Sequence, residues 1–180
     1  MNCWKSININ KEFGLQRMNF ISFLVSILAF TVLYVPVSIV HGRMPNNEAA
    51  FVPFLIVLFF LPMIHTLMHI LPLIVMNKRV NFVYKKKYKC IPVISYSTKY
   101  HLTKKVSFIT AGAPSLLLTV PGIAASYMFP EYYFYFLVLA SIHIGMSFID
   151  YLYMVYIWKA PKCAFIDNRH DGFDILLKAQ

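Results

Sequence analysis

Four ionisable side chains stand inside otherwise apolar stretches of this sequence: His65, His69, His143 and Asp150. Such a group costs roughly 2.5–3.5 kcal/mol to insert at the centre of a hydrocarbon-spanning helix, so it marks a functional site by default. His65 and His69 are four residues apart in Pro62-Met63-Ile64-His65-Thr66-Leu67-Met68-His69-Ile70. On a helix that spacing stacks two imidazoles on one face, one turn apart, an arrangement that chelates a divalent metal. Taken alone the pair is a weak signal, because a histidine on an apolar helix is more often satisfied by a nearby backbone group or hydroxyl. Asp150 is the single carboxylate within these stretches. Two His and one Asp leave one tetrahedral position for water or substrate, as in catalytic zinc sites. His143 lies seven residues before Asp150, two helical turns and nearly the same face. Three roles stay open for it: a hydrogen-bond partner behind a ligand, an alternative ligand, or an interhelical hydrogen bond.

The elements that must position these groups follow from composition. The 180 residues are 59% hydrophobic and only 13% charged, against roughly 25% charged in an ordinary globular domain, and mean hydropathy is +0.61. Four apolar segments, about 20–40, 51–76, 106–129 and 132–158, each reach the roughly 20 residues needed to cross hydrocarbon as a helix. A chain of this length could not hide four such helices from water as a core. The expected fold is therefore an all-α membrane protein of one domain, with four transmembrane helices and residues 159–180 as a tail. A disordered chain, a secreted disulfide scaffold and most soluble enzymes are excluded.

A net charge of +10 would ordinarily invite a nucleic-acid partner. Its distribution says otherwise. Sixteen of the seventeen Lys and Arg fall on one side if both termini are cytoplasmic, with nine between Lys78 and Lys105 and only Arg43 between the first two segments. That is the positive-inside pattern, so the expected location is the cell membrane, multi-pass, N-in/C-in, with lipid bilayer rather than nucleic acid as the partner. The basic segment between helices 2 and 3 can also lie against anionic headgroups.

Topology then tests depth. His69 is eighteen residues along the inward-running second segment from Phe51, and Asp150 is eighteen along the inward-running fourth from Tyr132. At 1.5 Å per residue both stand about 27 Å from the outer start. The two histidines and the carboxylate thus share a level toward the cytoplasmic half.

Outside the spans, Val80, Phe82 and Tyr84, then Ile91, Val93 and Ile94, alternate with polar residues, which fits a strand pair as well as it fits a solvated basic loop. The stretch from Pro161 to Ile175 reads as a short extended tail able to add a strand. Cys3, Cys90 and Cys163 are unpaired in spacing and expected in a reducing compartment, which supports neither a disulfide framework nor a CxxC metal site. The first segment lacks a small-x-small cleavage site near Ser38 to Gly42 and reads as an uncleaved anchor.

The residues from the second segment onward resemble a known family. They are His65 to His69 in place of an HExxH helix, Leu102-Thr103-Lys104-Lys105 leading to Ala113-Pro114, Ser147-Phe148-Ile149-Asp150, Pro161-Lys162-Cys163-Ala164-Phe165-Ile166-Asp167, and Asp171-Gly172-Phe173. In order and spacing they are similar to the zincin peptidase family, small bacterial multi-pass membrane proteins of unknown function that are distantly similar to site-2-type intramembrane metalloproteases. The resemblance implies zinc as the cofactor, His65, His69 and Asp150 as its ligands, and a membrane-protein substrate or partner. One departure stands out. The family glutamate after the first His, general base toward the attacking water, is Thr66 here. Threonine cannot accept a proton at neutral pH, and losing a general base costs about 10²- to 10⁴-fold in rate. The expectation is a zinc-binding metallopeptidase homologue with weak or lost proteolysis. Two alternatives remain: a non-enzymatic membrane protein that binds partners or handles metal, and an active protease with an unconventional base, His143 then serving as third ligand and Asp150 as base.

Overall fold

The computed structural model describes residues 2–42, 48–78, 80–85, 93–98, 101–169 and 172–177. In chain order these form β1 (Asn2–Ile7), α1 (Ile9–Phe13), α2 (Leu15–His41), α3 (Phe51–Val75), β2 (Val80–Lys85), β3 (Val93–Thr98), β4 (Leu102–Thr103), α4 (Lys104–Pro114), a π-helical turn (Ser115–Thr119), α5 (Val120–Met128), α6 (Tyr133–Met146), α7 (Phe148–Lys159), β5 (Ala164–Arg169) and β6 (Gly172–Leu177). Three helical stretches are long and apolar enough to cross a membrane, namely α2, α3 and the run from Lys104 to Met128; α6 and α7 make a fourth if that bent pair is one span. The residues these helices turn outward are consistent with such a crossing. Phe20, Leu28, Val32 and Ile39 on α2, and Val52, Phe59, Ile74 and Val75 on α3, are all more than 60% exposed. A helix in water turns such side chains inward; these suit a hydrocarbon surround.

Two of the expected spans are interrupted, each for a local reason. Pro114 and Pro121 remove two amide donors from the third. The chain between them widens into the π turn, closed by Val120 N–H donating to Ser115 O, as proline-interrupted helices commonly do. The fourth bends by 46° between Met146 and Phe148. No proline lies there, but Gly145 and Ser147 make the kind of Gly/Ser pair at which helices kink.

The chain divides into two compact units, the first comprising residues 1–18, 66–113 and 150–180 and the second residues 19–65 and 114–149. The first carries an antiparallel sheet in the order β1-β6-β5-β4. Asn2 pairs with Leu177 and Ile7 with Phe173; Ala164 pairs with Leu177 and Arg169 with Gly172; Leu102 pairs with Ile166. Ile7, Leu102, Ile166, Phe173 and Ile175 form its dry face, and the Phe173 ring meets Tyr153 of α7 at 4.0 Å between centroids. Gly172 is required here, since a Cβ would run into the Ile7 carbonyl. Lys104, first residue of α4, closes the end of α7 by donating to Trp158 O at 2.8 Å and Ala160 O at 2.5 Å, carbonyls that have no partner further along the helix.

In the second unit, Val37, Tyr133 and Leu137 are buried against Phe30, Leu33 and Tyr34. His41 Nε2 donates to Ser126 O at 2.9 Å; four residues on stands Pro130, which has no N–H to offer that carbonyl.

The fold is therefore mostly helical with a small antiparallel sheet, and the all-α expectation is corrected. Within the tail, β5 (Ala164–Arg169) and β6 (Gly172–Leu177) pair antiparallel, and the N-terminal segment adds the outer strand. Of the two readings left open for the basic segment, the strand pair is found, Val80 facing Thr98 and Lys85 facing Val93. Ile91 and Cys90 lie outside the described residues. The single span expected at 132–158 is two helices.

Candidate metal centre

The site grows from a proline. Pro114 cannot donate to the carbonyl four residues behind it, so Thr110 O has no α-helical partner. In the first unit that carbonyl accepts instead from His69 Nδ1 at 2.8 Å. A carbonyl only accepts, so Nδ1 carries the hydrogen, and in the neutral ring Nε2 keeps its lone pair. That lone pair faces Asp150 Oδ1 at 3.4 Å. A neutral imidazole nitrogen and a carboxylate oxygen so placed repel each other unless a proton or a metal ion lies between them. Asp150 sits in the first turn of α7, where the positive end of the helix favours a carboxylate. His69 is 8% exposed.

The second unit holds a chain of three groups. Thr119, last residue of the π turn, has its Oγ1 2.7 Å from His143 Nδ1, and His143 Nε2 is 3.1 Å from His65 Nδ1. Both ring nitrogens of His143 are thereby engaged, and its side chain is 1% exposed. If Nδ1–H of His65 donates to His143 and Nδ1–H of His143 donates to Thr119, then His65 is left with a lone pair on Nε2. The reverse tautomers would put a hydrogen there.

His65 and His69 belong to the unbroken helix α3, one turn apart. His65, His69 and Asp150 each offer a donor atom, and these atoms all lie within 4.8 Å of one another. Donors about 2.0–2.2 Å from a tetrahedral zinc ion stand about 3.3–3.6 Å apart. The His69–Asp150 edge already has that length. Two imidazoles and one carboxylate, with His69 oriented from behind by a carbonyl, are a donor set that suits zinc.

The sequence brought forward His65, His69, Asp150 and His143, and all four lie in this region. His143 and Asp150 are not on one continuous helix face, because the bend at Ser147 falls between them; this corrects the two-turn spacing assumed from sequence. Thr110 and Thr119 were missed. The signal for Thr110 was available in a proline four residues downstream. Thr119 is held by a π turn, whose extra residue per turn shifts every face prediction beyond it. Thr66, at the general-base position, is half-buried on α3.

Long apolar helices together with a His-x-x-x-His helix and a convergent carboxylate define the class: a membrane-type helical protein with a zincin-like donor set. The chain belongs to the family described as "Putative zincin peptidase", which matches residues 58–165 and so takes in His65, His69, His143 and Asp150. Comparison with curated proteins and with solved structures returns no match.

Proposed function

We propose that the protein is a membrane-embedded zincin-like metallopeptidase homologue that holds zinc through His65, His69 and Asp150, and whose proteolysis is weak or lost because Thr66 occupies the general-base position. The observation that carries this is the convergence of those three donors within 4.8 Å. In this reading each residue has a definite task. Pro114 frees the Thr110 carbonyl; that carbonyl holds His69 in the tautomer that presents Nε2. Thr119 and His143 hold His65 in the same way, and with both its nitrogens engaged His143 is a positioning residue rather than a third ligand. Asp150 balances charge. Zinc, when bound, supplies Lewis acidity at the open fourth position. Among the described residues no further carboxylate groups with these donors, and in this reading Asp150 is committed as ligand. The groups that remain suit the binding of a membrane-protein segment better than its rapid cleavage.

Changing Thr66→Glu tests this reading. Cleavage of a model transmembrane substrate is expected to rise by about 10²- to 10⁴-fold, the range a general base contributes; unchanged cleavage by a zinc-loaded variant would remove Thr66 as the reason for low activity.

The same proposal includes four crossings with both termini cytoplasmic in the cell membrane. Its support is the sheet. β1 precedes the first long helix, β4 follows the second, and β5 and β6 follow the last, yet all four strands are hydrogen-bonded in one sheet. Strands of one sheet lie on one side of a bilayer, so the chain between them crosses an even number of times. That favours α6 and α7 as one bent span, and the sixteen cations on the sheet side favour the cytoplasm. A reporter fused after Arg43 is expected to be external and one after Lys89 cytoplasmic; the opposite pattern would overturn the orientation.

A further inference from the structure

A groove of about 880 Å³ in the first unit lies where α4 begins, α7 ends and β5 departs, lined by Lys104, Lys105, Lys162, Phe108, Ile109 and Trp158 among others. A second, of about 320 Å³, shares Phe108 and Trp158 with it and continues along α7 over Met154 and Val155. The two differ in chemistry. The first has three lysines in its lining, whereas the second has none and is almost wholly apolar. Trp158 is 72% exposed, Val155 49% and Ile109 47%, so the floor opens outward from helices long and apolar enough to cross a membrane.

The lysines are not equivalent. Lys104 is committed to the carbonyls that end α7. Lys105 and Lys162 are exposed, and among the described residues neither is paired with a carboxylate. Two uncommitted cations beside an indole, at the end of a hydrocarbon-facing groove, complement a molecule that has an anion at one end and a long apolar body. A free phosphate would leave the floor uncovered. An acidic peptide would lay polar backbone along it, at a cost for every unsatisfied amide.

We propose that this groove binds an anionic phospholipid, its headgroup phosphate at Lys105 and Lys162 and one acyl chain along Phe108, Ile109 and Trp158 toward Met154 and Val155. The site is separate from the metal centre and does not depend on how that is read. A lysine near anionic headgroups is worth about 1 kcal/mol, or about a fivefold preference each.

The chain's two tryptophans make the test direct. Trp4→Phe leaves Trp158 as the only indole in the full-length protein, reconstituted in phosphatidylcholine nanodiscs. Phosphatidylglycerol with brominated chains should quench Trp158 more than brominated phosphatidylcholine at equal mole fraction. Lys105→Gln with Lys162→Gln should remove that excess, about fivefold per lysine, while Lys105→Arg with Lys162→Arg retains it. Equal quenching by the two lipids would overturn the proposal, as would an excess that survives the glutamine pair or is lost in the arginine pair. Displacement of the brominated lipid by inorganic phosphate would assign the lysines to a free anion, and displacement by a polyglutamate peptide to a protein partner; either result overturns the lipid site.

Discussion

Zinc is expected at close to one equivalent per chain in the purified protein and at none in Asp150→Asn, as measured by elemental analysis after dialysis against a weak chelator. Asparagine keeps the volume and polarity of the side chain, so the helix terminus at α7 is little disturbed. What it removes is the only anionic donor of the three. His65→Ala should have the same effect on metal content. His69→Ala should lose zinc and stability together, because it also strips the Thr110 carbonyl of the hydrogen bond that stands in for the amide missing at Pro114; a buried acceptor left unsatisfied costs about 1–3 kcal/mol. His143→Ala should act differently. Its ring holds His65 from behind at 3.1 Å, and losing such a support costs about 10- to 100-fold in metal affinity without abolishing binding. A protein that retains zinc through both Asp150→Asn and His65→Ala would refute the ligand set, whatever becomes of His143.

Gly145→Ala is expected to be the most damaging single methyl in the membrane part of the chain. A Cβ on Gly145 would stand 2.5 Å from the Ser22 carbonyl oxygen and closer still to the Ser26 hydroxyl. Ser26 can rotate, though its hydroxyl donates to Ser22 O at 3.0 Å. The Ser22 carbonyl belongs to the backbone of α2 and cannot move without moving the helix. Overpacking of this kind costs about 1–3 kcal/mol or more, and here it falls two residues from the bend at Ser147 and two residues from His143. Gly122→Ala is the control: its Cβ would meet only the Ala140 methyl at 3.6 Å, an ordinary contact. Thermal unfolding in detergent should separate the two clearly, and equal stability would mean that α2 and α6 pack less closely than described.

Much of the site was legible because helical spacing is a local property. The i, i+4 relation of His65 and His69 needs nothing but the helix they share, and the matched depth of Asp150 needs only residue counts from two span starts. The helices themselves were equally visible, since apolar length is written in consecutive residues. What escaped depends on partners distant in sequence. Among residues 3–7 of β1 Ile7 alone is buried, too little alternation to announce a strand, and the partner strand begins at Gly172. The hairpin at 164–177 carries apolar residues on both faces of β6, where Phe173 to Leu176 are buried in succession; that run cannot be told from an irregular tail until the neighbouring strand is known. The interruptions at Pro114 and Ser147 were visible as residue types but not as shapes. A proline states which donor is missing, not which side chain will replace it.

The sheet also governs the order of events as the chain is made. β1 is made before every long helix and, among the described residues, pairs with β6, which is made after all of them. At translation rates of about 5–20 residues per second the strand waits on the order of ten seconds, an unpaired edge while every long helix is inserted. Before β6 exists, α7 can already reach the amino-terminal segment, through Lys5 over the Tyr156 ring and Tyr156 OH donating to Glu12. The sheet can close only after every long helix has been made, and any stop codon ahead of Gly172 leaves β1 and β5 without the strand that joins them.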